Sequence, residues 1–577
     1  MGQESESKFF HGVAASPGIG VGKVFLLEKE ELVIVKKTLR KEMLIKEVAR
    51  FRKALAATRR ELQQDKLEML KVLGKTHARL ADAYLLILED PILSKDIEKQ
   101  ISKERVNAEY LIQMAMEKLV RTFDNLTDDY FRERINDISE VSQKILRNLL
   151  GKQKTEREEM TEDSIVVAHN LLPSDTINLK TNMVKGFAID VGGKTSHTAL
   201  LAQSLEIPAV VGLKEITAHV KTGDFLIIDG NQGTVILDPA PEALKNYRRE
   251  KEIQIRETQE LIKLRDLPAQ TLDGKRIELS ANIETADDVK NVLYYGAEGI
   301  GLFRTEYLFM NRDHLPSEDE QTEHYSRVTK KMMPYTTLFR TLDIGGDKLK
   351  PFIESYAEES NPFLGLRALR FCLKYPDIFR TQLRALLRAS AEGNVRIMFP
   401  MVSGVQEFLQ GREILESVKN ELIRERIPIS PKVEIGAMIE VPSAAVTADL
   451  IAKEADFLSI GTNDLIQYTL AVDRINENVA FMYDPLHLSI LRLIKMVAEA
   501  AHSHGKWVGM CGEMASDSHF TQLLLGLDLD ELSVVPAFIP KLKQIIRSTT
   551  IPESRRIAEE ILSLKDSSKA LERLKAT

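Results

Sequence analysis

The sequence predicts a multidomain α/β protein: an α/β unit interrupted by a helical bundle, followed by a C-terminal (β/α)8 barrel. Three observations carry that expectation. A chain of 577 residues is too long for one core, so roughly two to four domains are expected. Between about residues 42 and 150, apolar residues recur at spacings of three and four with few glycines, the mark of packed helices. Beyond about residue 271, eight apolar strand candidates alternate with helical patterns over roughly 300 residues, which is what such a barrel requires.

Taken in order, Gly12–Leu27 (GVAASPGIGVGKVFLL) reads as a turn feeding a strand. Its GVGK invites a nucleotide-loop reading, but Pro17 stands where the first P-loop glycine belongs and Val24 where Ser or Thr belongs, so that reading fails. The bundle follows, with Leu62, Leu67, Leu70 and Leu73, then Leu80, Tyr84 and Ile87, as its apolar repeat; Glu89-Asp90-Pro91 and Asp124-Asn125 mark turns. From Asp163 to Pro239 short strands return (SIVVAHN, GFAIDV, PAVVG, DFLIIDG, TVILDP), completing the α/β unit begun at Gly12. Pro241 to about Leu267 is a highly charged helix with a thin apolar stripe, suited to linking two moving bodies. The barrel strands are IELSANI, GIGLFRT, TLFRTLDIGGD, VRIMFPMV, EIGAMIEVP, DFLSIGTND, WVGMCGE and DELSVVP.

Composition removes several classes of function. A net charge of −7, with no basic cluster interleaved with aromatics, argues against nucleic-acid binding. Two cysteines, Cys372 and Cys511, make neither a disulfide framework nor a thiolate zinc site. There is no apolar span long enough to insert in a membrane, and Glu6 occupies the position where a myristoylation signal needs Ser or Thr. A cytoplasmic location is expected.

The stretch Asp190–Gly212 (DVGGKTSHTALLAQSLEIPAVVG) places His197 where two glycines open a helix. Backbone N–H groups and the helix dipole suit an anion there, and an exposed imidazole at that mouth could accept a phosphoryl group. Thr195, Ser196 and Thr198 are equally good helix caps and a lone histidine is usually structural, so this stretch leaves both readings open. The barrel strand ends add Arg304, Arg340, Asp343, Asp347, Lys348, Glu440, Asn463, Asp464 and Cys511, with Arg367 and Arg474 in loops between them. Each alone has an ordinary explanation as an ion-pair partner, a helix cap or a small core residue. Converging arginines on one rim point instead to a multiply charged anion, because the guanidinium fork matches phosphate and carboxylate. Glu440 and Asp464 are the kind of oxygen ligands that Mg²⁺ takes alongside water and substrate. Backbone N–H groups of Asp343-Ile344-Gly345-Gly346 could also face a phosphate.

These stretches, together with GAEGIGLFRTEYLFM, RTLDIGGDK, NPFLGLRALR, GAMIEVPSA, SIGTNDLIQYTLAVDR and GMCGEMA, resemble the motifs of enzyme I of the bacterial phosphotransferase system, the phosphoenolpyruvate–protein phosphotransferases. The likeness runs almost end to end. It implies a phosphohistidine α/β domain (1–40 with 151–240), an inserted bundle (41–150) that docks the HPr carrier protein, a helical linker (241–270), and a barrel (271–577) that binds phosphoenolpyruvate and Mg²⁺ and forms a homodimer. It further implies that His197 takes the phosphoryl group through Nε2 and passes it to HPr, releasing pyruvate, in the first step of sugar uptake. Thr176 would orient the imidazole. Arg304, Arg340 and Arg367 would hold the substrate anions, with Lys348, Asn463, Asp464 and Arg474 completing the pocket; Glu440 and Asp464 would bind the metal, and Cys511 would protonate the enolate. A nitrogen-branch paralogue and a dikinase- or synthase-like enzyme stand as alternatives; the latter relatives carry a nucleotide-binding domain ahead of the histidine domain. Gln203 and Lys194 stand where many members have Arg, Tyr84 where His is frequent, and Glu140 where others have Asp, the last two in the region expected to meet HPr.

Overall fold

The computed structural model describes residues 7–27, 34–72, 84–88, 95–123, 129–151, 163–171, 183–193, 197–205, 207–309, 314–345, 359, 361–474, 476, 479–564 and 566–575. Two compact units result, Met1–Ile255 and Arg256–Thr577. Their boundary falls within the helix Pro241–Ile262, the segment whose charge pattern predicts a linker.

In the first unit the strands are β1 (Lys8–His11), β2 (Val13–Ser16), β3 (Ile19–Leu27), β4 (Ser164–Ala168), β5 (Val184–Ile189), β6 (Ala209–Val211), β7 (Phe225–Asp229) and β8 (Thr234–Leu237). They form one sheet in the order β1-β8-β7-β3-β4-β5-β6-β2. Strands β3 to β6 are parallel neighbours. Residues alternate between two cores: Val166 and Ala168 of β4 pack with Phe187, Ala199 and Leu201 on one face, while Ile165 and Val167 pack with Val210, Ile216 and Leu226 on the other. That period of two is what a strand buried on both faces requires. The single strand expected from Gly12 to Leu27 is two, β2 and β3, with Gly18 at φ +116° between them, and β1 precedes both. GVGK lies inside β3, so it forms no phosphate loop.

The bundle comprises Leu44–Val72, 84–88, Ile97–Glu104, Ala108–Phe123 and Asp129–Leu150, around Phe51, Leu62, Ile97, Ile101, Ile112, Val141 and Ile145. Buried Lys144 donates to Asp65 at 2.8 Å, pairing a charge that burial would otherwise penalise. Tyr84 and Glu140 are both buried, so these two departures are core substitutions rather than part of an outer face that could meet a carrier. The expected turns at 89–91 and 124–125 lie outside the described residues.

The second unit holds a closed barrel of eight parallel strands, all eight at the expected positions. They are β9 (Glu278–Ile283), β10 (Gly299–Arg304), β11 (Thr336–Arg340), β12 (Val395–Phe399), β13 (Glu434–Ile439), β14 (Phe457–Gly461), β15 (Trp507–Cys511) and β16 (Glu531–Val534). Leu302, Leu338, Met398, Met438, Phe457 and Cys511 fill the interior. Helices cover the outside through a single apolar shell. No described helix is long and apolar enough to cross a membrane.

Candidate active site

Strand ends bring the barrel residues to one rim, as the sequence predicts. Arg304 and Arg340 are the last residues of β10 and β11, Cys511 the last of β15, and Glu440 follows β13 directly. Asn463 and Asp464 sit in the first turn of the helix Thr462–Leu470 after β14. These residues, with Arg367 and Arg474, line a cleft of about 300 Å³ together with Glu284, Glu306, Tyr307, Asp343 and Met438. Two glycines permit the close packing: a Cβ on Gly461 would meet the Glu440 side chain, and one on Gly512, whose φ is +115°, would meet the Thr462 hydroxyl.

The charged side chains form an unbroken alternating series across the rim. Glu306 Oε1 accepts from Arg340 Nη2 at 3.0 Å, and Arg340 Nη1 lies 3.0 Å from Asp343 Oδ2. Asp343 Oδ1 accepts from Arg367 Nη2 at 2.9 Å, which also reaches Asp464 Oδ2 at 3.3 Å. Asp464 Oδ1 in turn lies 3.4 Å from Arg474 Nη1. Three anions and three cations thus neutralise one another before any ligand arrives, which is how buried charge is tolerated. Burial raises the Asp343 carboxyl, yet Arg340 and Arg367 outweigh it and hold the pKa below the ordinary carboxylate range. Within the series, Arg340 Nε is buried with no hydrogen-bond partner among the described residues. Arg304, at the cleft edge, pairs with Glu284 at 3.0 Å.

Glu440 has a different environment. It is buried, Oε1 accepts the Met401 N–H at 2.7 Å, and burial followed by the nearby Asp464 and Asp343 carboxylates pushes its pKa up to about 8, against the opposing pull of Arg340. A carboxylate so burdened, next to a second one, is the donor set a hard divalent cation relieves. Among the described residues no group of three or more His, Cys, Asp or Glu side chains is placed to hold a metal ion. Cys511 is also buried, its Sγ 3.7 Å from the Ile460 carbonyl, and burial pushes the thiol up to about 12. It is therefore a protonated thiol facing the cleft. Asn463 stands at the mouth, exchanging two 3.1 Å hydrogen bonds with Glu513.

Some expectations change. The Asp343 N–H is taken by Glu306 Oε1 at 3.0 Å, so it does not point freely at a phosphate. Glu306, Glu284 and Tyr468 were not singled out from the sequence. Tyr468 accepts from Arg367 Nη1 at 3.1 Å and donates to the Phe363 carbonyl at 2.6 Å. The signal for it was the helical spacing of four from Asp464, which puts both on one face of a helix. Lys348 and Thr176 lie outside the described residues. His197 is described through its backbone, as the first residue of the helix His197–Ser204, whose Ala199 and Leu201 are buried against the sheet.

A parallel barrel whose C-terminal rim gathers arginines, paired carboxylates and a thiol is the framework of an enzyme acting on a small polyanion. Comparison with known families places that class. Residues 258–551 match the PEP-binding domain of PEP-utilising enzymes, residues 160–233 their mobile domain and residues 11–134 their N-terminal domain. The phosphoenolpyruvate–protein phosphotransferase of Bacillus sp. (strain S) is 47% identical over 98% of this chain and 97% of its own. That of Geobacillus stearothermophilus is 46% identical over the same shares, and that of Bacillus subtilis (strain 168) 45% over 98% and 99%. The chain belongs to the phosphoenolpyruvate–protein phosphotransferase family.

Proposed function

We propose that phosphoenolpyruvate phosphorylates His197 and that the phosphoryl group then passes to a histidine of an HPr-type phosphocarrier protein, the first step of sugar uptake by the phosphotransferase system in the cytoplasm. The observation that carries this reading is the series of alternating arginines and carboxylates lining a cleft shared with Glu440 and Cys511. Arg304, Arg340, Arg367 and Arg474, completed by Lys348 and Asn463, hold the phosphate and carboxylate of the substrate. Phosphoryl transfer asks mainly for such positioning and charge stabilisation. Glu440 and Asp464 hold Mg²⁺, which when bound neutralises charge on the substrate's oxygens. As the P–O bond breaks and the P–N bond to His197 Nε2 forms, the enolate left behind takes the Cys511 thiol proton on its methylene carbon and leaves as pyruvate. The thiolate, disfavoured by burial, then regains its proton from solvent. Thr176 orients the imidazole.

In the same reading the bundle (41–150) docks the carrier, the phosphohistidine domain (1–40 with 151–240) moves on the linker (241–270), and the barrel (271–577) pairs two copies into a homodimer. The name of the mobile-domain family matched by residues 160–233 agrees with that movement. The test is incubation with phosphoenolpyruvate and Mg²⁺ without nucleotide. An acid-labile, base-stable phosphoryl group is expected, absent from His197→Ala. A requirement for ATP would move the reading to a dikinase, and no label at all would remove it.

A further inference from the structure

We propose that Glu306 is a positioning residue of this cleft, holding the Arg340 guanidinium in place for the incoming anion. The inference rests on the cleft being the phosphoenolpyruvate site. Glu306 opens the short 3₁₀ turn Glu306–Leu308 after β10, and its carboxylate reaches across to the exit of β11. One oxygen, Oε1, does two things there: it accepts from Arg340 Nη2 and from the Asp343 N–H, each at 3.0 Å. The preceding residue, buried Thr305, donates to the Arg340 carbonyl at 2.9 Å. Gln382 secures both neighbours, donating to Thr305 Oγ1 at 3.0 Å and accepting from the Leu342 N–H at 2.9 Å. Strand β11 is thus clamped on both sides of Arg340, and the guanidinium itself is held at two points, Nη2 by Glu306 and Nη1 by Asp343. Nη2 keeps a second N–H beyond its contact with Glu306, so the held guanidinium still has a donor to offer an anion, while Nε is buried with no partner among the described residues.

Glu306 has two opposing influences on an anionic ligand. As a negative charge it repels the substrate; as a hydrogen-bond acceptor it fixes the arginine that receives it. A low-dielectric cleft strengthens both effects, and on this inference fixing the guanidinium in advance is the larger of the two. A carboxylate that served only to offset the burial of Arg340 would behave differently: its removal would change stability and leave substrate binding alone.

The two roles separate in variants of the full-length protein, measured as KM and kcat for phosphoenolpyruvate-dependent pyruvate release with Mg²⁺ and carrier present. Glu306→Gln keeps the acceptor oxygen and removes the charge, and is expected to leave KM within about twofold of wild type or to lower it. Glu306→Ala removes the tether, and KM is expected to rise about tenfold or more with kcat within about threefold. Should the alanine variant not fold, Glu306→Asp serves in its place: it keeps the charge and withdraws the oxygen by one methylene, so KM should rise there while glutamine stays near wild type. An unchanged KM in the tether-breaking variant, or a rise in glutamine as large as in alanine or aspartate, overturns the inference. Failure of the wild-type protein to release pyruvate at all is a different outcome, one that removes the substrate assignment and this inference with it.

Discussion

Glu531→Gln should stabilise the barrel at alkaline pH and leave it nearly unchanged at acid pH. Glu531 opens β16 at the opposite end of the strands from the cleft and is buried. Its partner in register on β9 is Glu278, so two carboxyls lie side by side, while Arg396 on β12 is divided between Glu434 at 2.8 Å and Glu278 at 3.4 Å. Among the described residues neither Glu531 oxygen has a hydrogen-bond partner at ordinary geometry, and the Ser280 hydroxyl lies 3.5 Å from Glu278 Oε1. Burial, then the Glu278 charge, push the Glu531 pKa from 4.5 up to about 8, with Arg396 pulling the other way. Between those two values the folded state keeps a proton that the unfolded chain has lost, so stability falls as pH rises and the loss is complete above about 8. The full shift corresponds to on the order of 4–5 kcal/mol. Relaxation and sharing of charge with Glu278 reduce what the isosteric amide recovers to ~1–3 kcal/mol. In thermal unfolding by calorimetry, Tm of the variant should exceed wild type by roughly 2–6 °C at pH 9, and the gap should close by pH 5. Parallel Tm curves across that range would refute the assignment of a buried, protonated Glu531.

Other consequences follow from named contacts. Cys372 and Cys511 are both buried with thiols pushed well above the free-cysteine range, burial being the main cause, so the native protein should show no fast-reacting thiol toward a disulfide reagent at pH 8 and two after denaturation. Rapid loss of one thiol in the folded state would contradict the burial of Cys511. Arg367→Lys keeps the charge but gives up the fork that spans Asp343, Asp464 and Tyr468, and KM for phosphoenolpyruvate should rise about tenfold or more. Lys543, fully buried, donates to the Arg265 and Gly296 carbonyls at 2.8 and 2.9 Å; Lys543→Met strands both acceptors and should cost ~2–4 kcal/mol in denaturant unfolding.

Much of this architecture is readable in the amino-acid sequence because burial imposes a period. The barrel strands are continuous apolar runs closed by a charged or reactive residue, and each such residue lands on the rim for the same reason: in a parallel barrel every strand ends at the same face. Hence Arg304, Arg340, Glu440 and Cys511 could be gathered on paper. Strand β1 could not, since Lys8–His11 is an exposed edge of four residues without an apolar alternation, and its place is fixed by pairing with β8. Glu306 also escaped notice. A glutamate two residues past a strand reads as solvated, and only the approach of Arg340 and the Asp343 N–H from the next strand gives its carboxylate a task. Tyr84, read both as part of the bundle's apolar repeat and, through the family resemblance, as lying in the carrier-docking region, serves in the structure as core.

The most direct measurement is a single turnover of the protein with phosphoenolpyruvate and Mg²⁺, without carrier, counting pyruvate released against phosphoryl groups retained and locating them by phosphorus NMR and peptide mapping. One pyruvate per phosphoryl group, held on Nε2 of His197 and discharged when an HPr-type carrier is added, is the expected result. Pyruvate formed with no phosphorus left on the protein, or phosphorus on a residue other than His197, would contradict it.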